Sequence, residues 1–272
     1  MARARRRLAP GPHRALSPDP HGGGGAPGSG AALIILALET ATDRASVAVG
    51  AAASDAVEES LVGARRHAGA LLPMARRALA RRGIGLDGVE ALALSDGPGS
   101  FTGLRVGAAV AKALVRARGL PLWVAPSLMV RAAGVASDDG ALVLAVTDAL
   151  RGEVYAGAFR FEPGRVGVEL APAVRRPEDL AGLLPAPALL VGDLPDPAAN
   201  AIERWAGRRL VRSPDGAARA RSLLDLVGRT GGARRLTEVS SWEPDYGRPA
   251  EAQARWETAH GRPLPDPAGG AR

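Results

Sequence analysis

Two apolar segments flank the stretch Ser95-Asp96-Gly97-Pro98-Gly99-Ser100-Phe101-Thr102-Gly103-Leu104-Arg105-Val106-Gly107. Residues 89–94 before it have the composition of a buried strand, and residues 108–115 after it have that of a helix. Glycines permit close backbone approach, and Ser100 and Thr102 can cap a helix. Such a turn can point backbone N–H groups at an anion. Its spacing matches neither common phosphate-loop pattern, so a tight turn without a ligand is an equally good interpretation.

A hairpin is predicted upstream of this glycine-rich stretch. Residues 33–38 form an apolar strand, residues 39–44 a polar turn and residues 45–50 the returning strand, with a third strand over 56–62. Acidic and hydroxyl side chains in such a turn can face a phosphate, although a solvated turn is the commoner case. The candidate nucleotide or anion contacts are Glu39, Thr40, Thr42, Gly97, Gly99, Ser100, Thr102 and Gly103.

The next predicted element is an amphipathic helix over residues 65–82. Pro73 inside it predicts a kink or a restart, because proline lacks the N–H that the helix uses. A short strand follows over 120–126, and Ser127 is expected to cap a helix that runs to residue 135. Strands that alternate with helices predict a partly parallel sheet.

The pattern of a hairpin, a third strand and helices then starts again. Strands are predicted over 141–148, 153–160 and 166–170, and another over 188–191. Helices are predicted near 177–183, 197–206 and 217–228. We interpret this order as an internal duplication with a degenerate second copy. The predicted organisation is an arm (1–31), a first subdomain (32–136), a shortened second subdomain (137–235) and a tail (236–272).

Composition excludes several kinds of chemistry. The 272-residue chain has no cysteine, so disulfides, thiolate catalysis and cysteine-bound metals are excluded. Its four histidines have no metal-ligand spacing, and we expect no metal site and no catalytic residue. The net charge of +7 comes partly from arginines in the Gly/Pro-rich arm, which is expected to be disordered. No apolar run is long enough to cross a membrane, so we expect a cytoplasmic protein with no membrane partner.

Aromatic residues are few, which makes those near the end prominent. Trp242, Tyr246 and Trp256 lie in a largely polar region. We expect them to pin the tail onto the folded body, with a contact to a partner as the alternative.

Four segments in this order and spacing resemble the TsaB (YeaZ) family. They are residues 36–42, His67 with Leu71-Leu72-Pro73, the stretch from Gly97 to Arg105, and Asp148 with residues 152–155. Residues 244–248 also look like the ending of that family, and the resemblance covers about residues 32–250. It implies an α/β, actin-like ATPase (ribonuclease H-like) fold of two duplicated subdomains with mixed sheets flanked by helices.

The resemblance also implies a function. Members of that family are non-catalytic partner subunits for a TsaD-type transferase, which places the threonylcarbamoyl group on N6 of adenosine 37 in tRNAs that read ANN codons. The implied partners are the TsaD-type transferase, a TsaE-type ATPase and a second copy of the chain as a homodimer, with tRNA contacted indirectly through the complex. No cofactor of its own is implied, and ATP or ADP would act at the level of the complex.

The implied partner face combines two helices of the first subdomain. Carried over to this chain, it consists of His67, Leu71, Met74, Leu79, Phe101, Arg105, Val106, Val110 and Leu114. Apolar side chains on two helices can pack against two helices of a partner.

Two departures from the family pattern weaken any claim that this chain hydrolyses ATP. Glu39 stands where aspartate is more usual, and Leu150 stands where arginine often follows Asp-Ala. Two alternative functions stay open. One is a glycoprotease-like peptidase, although the sequence has no histidine pair at metal-ligand spacing. The other is a small-molecule kinase, for which Glu39 and Asp148 are the only acidic pair at matching places in the two halves.

Overall fold

A computed structural model describes residues 33–63 and 67–247. The predicted arm, Trp256 and the side chain of His67 lie outside the described residues. Elements of the first half are β1 Ile35–Glu39, β2 Arg44–Gly50, β3 Val57–Val62, α1 His67–Arg82, β4 Ala91–Ser95, α2 Phe101–Arg118, β5 Leu122–Ala125 and α3 Ser127–Ala133. Elements of the second half are β6 Leu142–Asp148, β7 Val154–Glu162, β8 Arg165–Arg175, α4 Leu180–Leu183, β9 Leu189–Asp193, α5 Asp196–Ala206, β10 Leu210–Val211, α6 Ala220–Leu226 and β11 Arg234–Arg235.

The two halves repeat one topology. The first sheet has the order β11-β5-β4-β1-β2-β3, and the second has the order β10-β9-β6-β7-β8. In each, the first strand pairs antiparallel with the second and parallel with the fourth. Helices also follow the corresponding strands: the third, fourth and fifth strand of each half is followed by a helix. The predicted duplication and the predicted α/β fold of two mixed sheets flanked by helices are therefore confirmed.

Strand alternation divides the apolar residues among separate cores. On β1, Ile35 and Ala37 face a core shared with the second sheet, while Leu36 and Leu38 face α1 and α2. α3 and α6 contribute to the shared core, so they lie between the two sheets. The outer face of the second sheet packs on α4 and α5.

Several predicted elements differ from those observed. β8 is longer than predicted, and α6 is shorter. Two-residue strands have no periodic pattern, so β10 and β11 were not predicted. β11 pairs with β5 of the first sheet, although its residues fall within the predicted second subdomain. The subdomain boundaries otherwise stay predictions. α1 is continuous through Pro73.

Two absences can be stated for the described residues. None of their helices combines the length and apolar character needed to cross a membrane. Within the same ranges, no three acidic or histidine side chains are grouped so that they could hold a metal ion.

Candidate functional site

A cleft of about 1110 Å³ lies between the two halves of the described fold. Turns and helix ends from both sheets form its walls. The lining residues are Ala41, Thr42, Asp43, Arg44, Val62, Gly99, Ser100, Phe101, Arg131, Thr147, Asp148, Ala149, Leu150, Arg151, Tyr155, Asp193, Ser213, Pro214 and Tyr246. A concave site with mixed apolar and polar walls is the usual form of a ligand pocket.

Two topologically equivalent turns contribute to the cleft. One joins β1 to β2, and the other joins β6 to β7. In the second turn, Leu150 and Arg151 have φ values of 63° and 56°, in the left-handed region that non-glycine residues seldom adopt. The carboxylate of Asp148 accepts a hydrogen bond from the Leu150 N–H at 2.9 Å. This turn therefore holds one apolar and one cationic side chain at the cleft.

An ion pair at the cleft joins the two halves. Arg131 of α3 is only 2% exposed, and its Nη1 lies 2.9 Å from Oδ2 of Asp193 at the end of β9. The Ser213 N–H and hydroxyl also donate to the Asp193 carboxylate, at 2.9 and 2.7 Å. Partial burial raises the pKa of Asp193, but the Ser213 N–H and the Arg131 charge outweigh it, so the pKa is lowered overall.

Glu39 is fully buried at the end of β1 and does not line the cleft. Its Oε1 accepts a hydrogen bond from the Ala41 N–H at 2.7 Å, while Oε2 has no hydrogen-bond partner. Burial raises the pKa of Glu39 to about 7, with a smaller opposing contribution from the Ala41 N–H. The charge of Arg131 opposes the rise as well. The kinase alternative needs acids from both halves at the cleft, and of its two candidates only Asp148 lines it.

The glycine-rich turn is filled by atoms of the chain itself. A Cβ at Gly97 would overlap the carbonyl of Asp245, one at Gly99 that of Ala41, and one at Gly103 that of Thr40. The Oγ of Ser100 caps α2 by accepting a hydrogen bond from the Gly103 N–H at 3.2 Å. These glycines serve close packing, and their arrangement does not fit a phosphate cradle.

The predicted anion contacts are only partly brought together. Thr42, Gly99 and Ser100 line the cleft. The remaining candidates lie outside its lining: Glu39, Thr40, Gly97, Thr102 and Gly103. Ser127, predicted as the cap of α3, is instead its first residue, and its hydroxyl accepts a hydrogen bond from the Gly97 N–H.

Residues 239–247 cross α2 and reach the cleft; we call them the tail strap. The Lys112 ammonium lies 2.8 Å from the Glu243 carboxylate and 5.8 Å from the Trp242 ring centroid. Tyr246 packs on Phe101, with ring centroids 4.8 Å apart. Trp242 and Tyr246 thus pin the tail to the body as predicted.

A second groove, of about 890 Å³, involves both α1 and α2. Leu72 on its wall is 51% exposed, and Leu79 and Leu114 also line it. The other lining residues are Leu36, Pro73, Ala75, Arg76, Arg77, Ala80, Ile84, Gly85 and Leu86. We call this the α1/α2 groove.

Two of the side chains of α1 chosen from the sequence as partner contacts need correction. Leu71 and Met74 are 0% and 1% exposed and pack in the core beneath α1, because they face the first sheet. Leu79 is 7% exposed and packs there too, but it also lines the α1/α2 groove. Among the described side chains of this helix, the exposed large apolar one is Leu72.

On α2 the predicted partner contacts are all at least partly accessible. Val106, Val110 and Leu114 are partly buried. Phe101 and Arg105 are exposed, and the Arg105 guanidinium lies 5.0 Å from the Phe101 ring centroid.

The chain is similar to proteins named TsaD, TsaB and YeaZ. A family model described as tRNA N6-adenosine threonylcarbamoyltransferase (TsaD) matches residues 61–213. The Escherichia coli K12 protein TsaB is 39% identical over 146 residues, which are 53% of this chain and 63% of that relative. The solved structure of YeaZ from Pseudomonas aeruginosa has 32% identity and a TM-score of 0.64, covering 78% of this chain and 98% of that one.

The chain belongs to the TsaB (YeaZ) family. The resemblance read from the sequence is thereby confirmed. TsaB of Haemophilus influenzae is also 39% identical, over 45% of this chain and 52% of that relative. The matches to these two curated TsaB proteins each span less than two thirds of the relative's length.

Several residues of this TsaB-family cleft were missed from the sequence. Arg131 stands inside an apolar helix pattern, and its partner Asp193 is 62 residues away. Asp193 ends β9, which pairs parallel with β6 as β4 pairs with β1, and it lies opposite Thr147. The duplication is therefore the signal that could have identified Asp193. Val62 carries no local signal, and Tyr155 belongs to the segment 152–155 that carries the family resemblance but was not predicted as a site residue.

Proposed function

We propose that this chain takes part in the biosynthesis of threonylcarbamoyladenosine in tRNA, as a non-catalytic subunit that binds and activates a TsaD-type transferase. Family membership supports a role in this biosynthesis, because two relatives carry the name tRNA threonylcarbamoyladenosine biosynthesis protein TsaB. The α1/α2 groove supports a binding role. It leaves Leu72 half exposed beside the apolar side chains of Ile84, Leu86 and Leu114.

The groove is suited to receive helices of a partner. It is lined mainly by the 16-residue helix α1 and residues 84–86, with Leu114 from the 18-residue helix α2, and helices of this length can pack against a partner pair. Arg76 and Arg77 lie at its edge, so the apolar centre has a charged rim. In the same proposal a TsaE-type ATPase joins the complex, ATP or ADP acts there, and tRNA is contacted through the transferase. A homodimer would use the same groove.

The substitution Leu72→Glu tests the partner surface. A carboxylate at the centre of an apolar interface would be desolvated without a counter-charge, so we expect at least about a hundredfold loss of affinity for the cognate TsaD-type protein. Calorimetry or size-exclusion chromatography of the mixed proteins measures it.

The matched control is Leu183→Glu, because Leu183 is 48% exposed on α4, away from the groove. It should bind the transferase like the unaltered chain. Equal affinity of Leu72→Glu and the unaltered chain would show that the groove is not the partner surface. Threonylcarbamoylation of tRNA, assayed with each protein alone and with both, tests the activating role.

A further inference from the structure

Exposed apolar side chains are concentrated at the cleft between the sheets. The described part of the chain leaves seven large apolar side chains exposed, and three of them line this cleft. These are Val62, Phe101 and Leu150, which are 55%, 38% and 61% exposed. Apolar surface gathered in one concave site is typical of a ligand pocket, whereas scattered exposed residues need no explanation.

Three arginines and three aspartates line the cleft, and two of the arginines have N–H groups that are not used within the described residues. The Asp193 carboxylate already accepts hydrogen bonds from Arg131 and from Ser213. Asp148 accepts one from the Leu150 N–H. In contrast, no acceptor within residues 33–63 and 67–247 takes a hydrogen bond from the Arg151 guanidinium, and that of Arg131 uses only Nη1. These unused guanidinium N–H groups suit the charged group of an anion.

The described residues do not favour a metal-bound polyphosphate. They hold no group of three acids or histidines that could bind a metal ion. The glycine-rich turn is occupied by the carbonyl groups of Thr40, Ala41 and Asp245. An anion with a single charged group, held by arginine, fits better than a nucleoside triphosphate with magnesium.

The β6–β7 turn supplies both an apolar and a cationic side chain to the cleft. Leu150 and Arg151 are neighbours in the left-handed region, and both line the cleft. Such a pair of non-glycine residues is strained, and strain of this kind is concentrated at ligand sites. Phe101, supported by Tyr246, comes to the cleft from the first half of the chain.

We propose that this cleft binds a flat organic anion, an aromatic ring that carries one carboxylate or one phosphate group, without a metal ion. Phe101, Val62 and Leu150 contact the ring. Arg151 and the free N–H groups of Arg131 bind the charged group. The proposal does not depend on the partner surface described above, because the cleft and the α1/α2 groove have no lining residue in common.

Three probes with one ring and different head groups test the proposal on the full chain. Naphthoate and naphthyl phosphate are anions, and naphthylmethanol is neutral. We expect both anions to bind, and the neutral probe to bind at least about tenfold more weakly, by calorimetric titration in the presence of a chelator. The tighter of the two anions identifies the head group.

Two substitutions assign the binding to the cleft. Asparagine tolerates the left-handed conformation, so Arg151→Asn and Leu150→Asn keep the turn. Arg151→Asn should weaken naphthoate about tenfold and leave naphthylmethanol unchanged, while Leu150→Asn should weaken all three probes. The control Arg208→Asn removes an exposed arginine outside the cleft and should change nothing.

Three results would overturn the proposal: absence of binding by both anions, equal binding of the neutral probe, or unchanged naphthoate binding by Arg151→Asn. A requirement for added magnesium ion would overturn its metal-free form.

Discussion

Glu39 is a buried carboxyl group whose ionisation should make stability depend on pH. Its pKa is about 7 in the folded chain and 4.5 ordinarily, so the folded state binds its proton more tightly than the unfolded state. Stability from this group is therefore full below pH about 4.5 and is lost as the pH rises to about 7. The shift corresponds to about 3 kcal/mol.

The substitution Glu39→Gln should remove this pH dependence. Glutamine keeps the shape and an acceptor for the Ala41 N–H but cannot ionise. We expect Glu39→Gln to be more stable than the unaltered chain at pH 8 and closer to it at pH 5, by urea denaturation. Glu238→Gln, at an exposed carboxyl group, is the control. Parallel pH profiles for Glu39→Gln and the unaltered chain would contradict the assignment.

Gly103 and Gly69 form a matched pair of helical glycines. A Cβ at Gly103 would overlap the Thr40 carbonyl, whereas one at Gly69 would meet no atom within 4 Å. We expect Gly103→Ala to destabilise the fold by about 1–3 kcal/mol and Gly69→Ala to stabilise it by about 0.5–1 kcal/mol. Thermal denaturation distinguishes them. The close-packing argument would fail if both substitutions stabilised the chain.

At the scale of elements, the tail strap fixes the start of α2. Its contacts run from Lys112 with Glu243 and Trp242 to Phe101 with Tyr246. Asp245 also donates its N–H to the Asp96 carbonyl at 2.7 Å. The strap thus connects the glycine-rich turn, the helix that follows it and the edge of the cleft.

A double-mutant cycle can measure the aromatic contact of the strap. Phe101→Ala and Tyr246→Ala should show a coupling free energy of about 0.5–1.5 kcal/mol, because the rings lie in contact. Chemical denaturation of the single and double variants provides the cycle. Phe101→Ala with Trp205→Ala, a residue of the α5 side, should show additive effects. Additive effects of Phe101→Ala and Tyr246→Ala would show that the aromatic contact does not hold the tail strap.

At the scale of the whole molecule, the Arg131–Asp193 pair connects the two halves. Asp193→Asn should lower the free energy of unfolding by about 2 kcal/mol, because it leaves a buried guanidinium without its charged partner. The effect should fade as the pH falls through the lowered pKa of Asp193, since the folded carboxylate then becomes protonated.

The control for this pair is Asp196→Asn. Asp196 also pairs with an arginine, but its side chain is 86% exposed, so its loss should change stability by less than about 0.5 kcal/mol. Urea denaturation of both variants makes the comparison. Equal effects of the two substitutions would show that burial of Arg131 does not strengthen its ion pair with Asp193.

Much of the fold was predictable because local patterns of apolar and turn residues indicate its strands and helices. The apolar run from Leu33 to Leu38 and its counterpart from residue 141 indicated paired hairpins, and their recurrence indicated the duplication. The site was less predictable. Periodicity marked Leu71 and Met74 as apolar positions of α1, but it could not tell a face against the sheet from a face toward a partner.

The sequence by itself determined the elements, their duplicated order and the family, because hydrophobic periodicity, turn chemistry and motif spacing act over short stretches. Only the tertiary structure decided that the glycines pack on Thr40, Ala41 and Asp245, and that Leu72 is a large apolar side chain exposed on α1. It also decided that Arg131 meets Asp193 across the cleft. These contacts join residues far apart in the chain, and their geometry depends on how the two sheets pack.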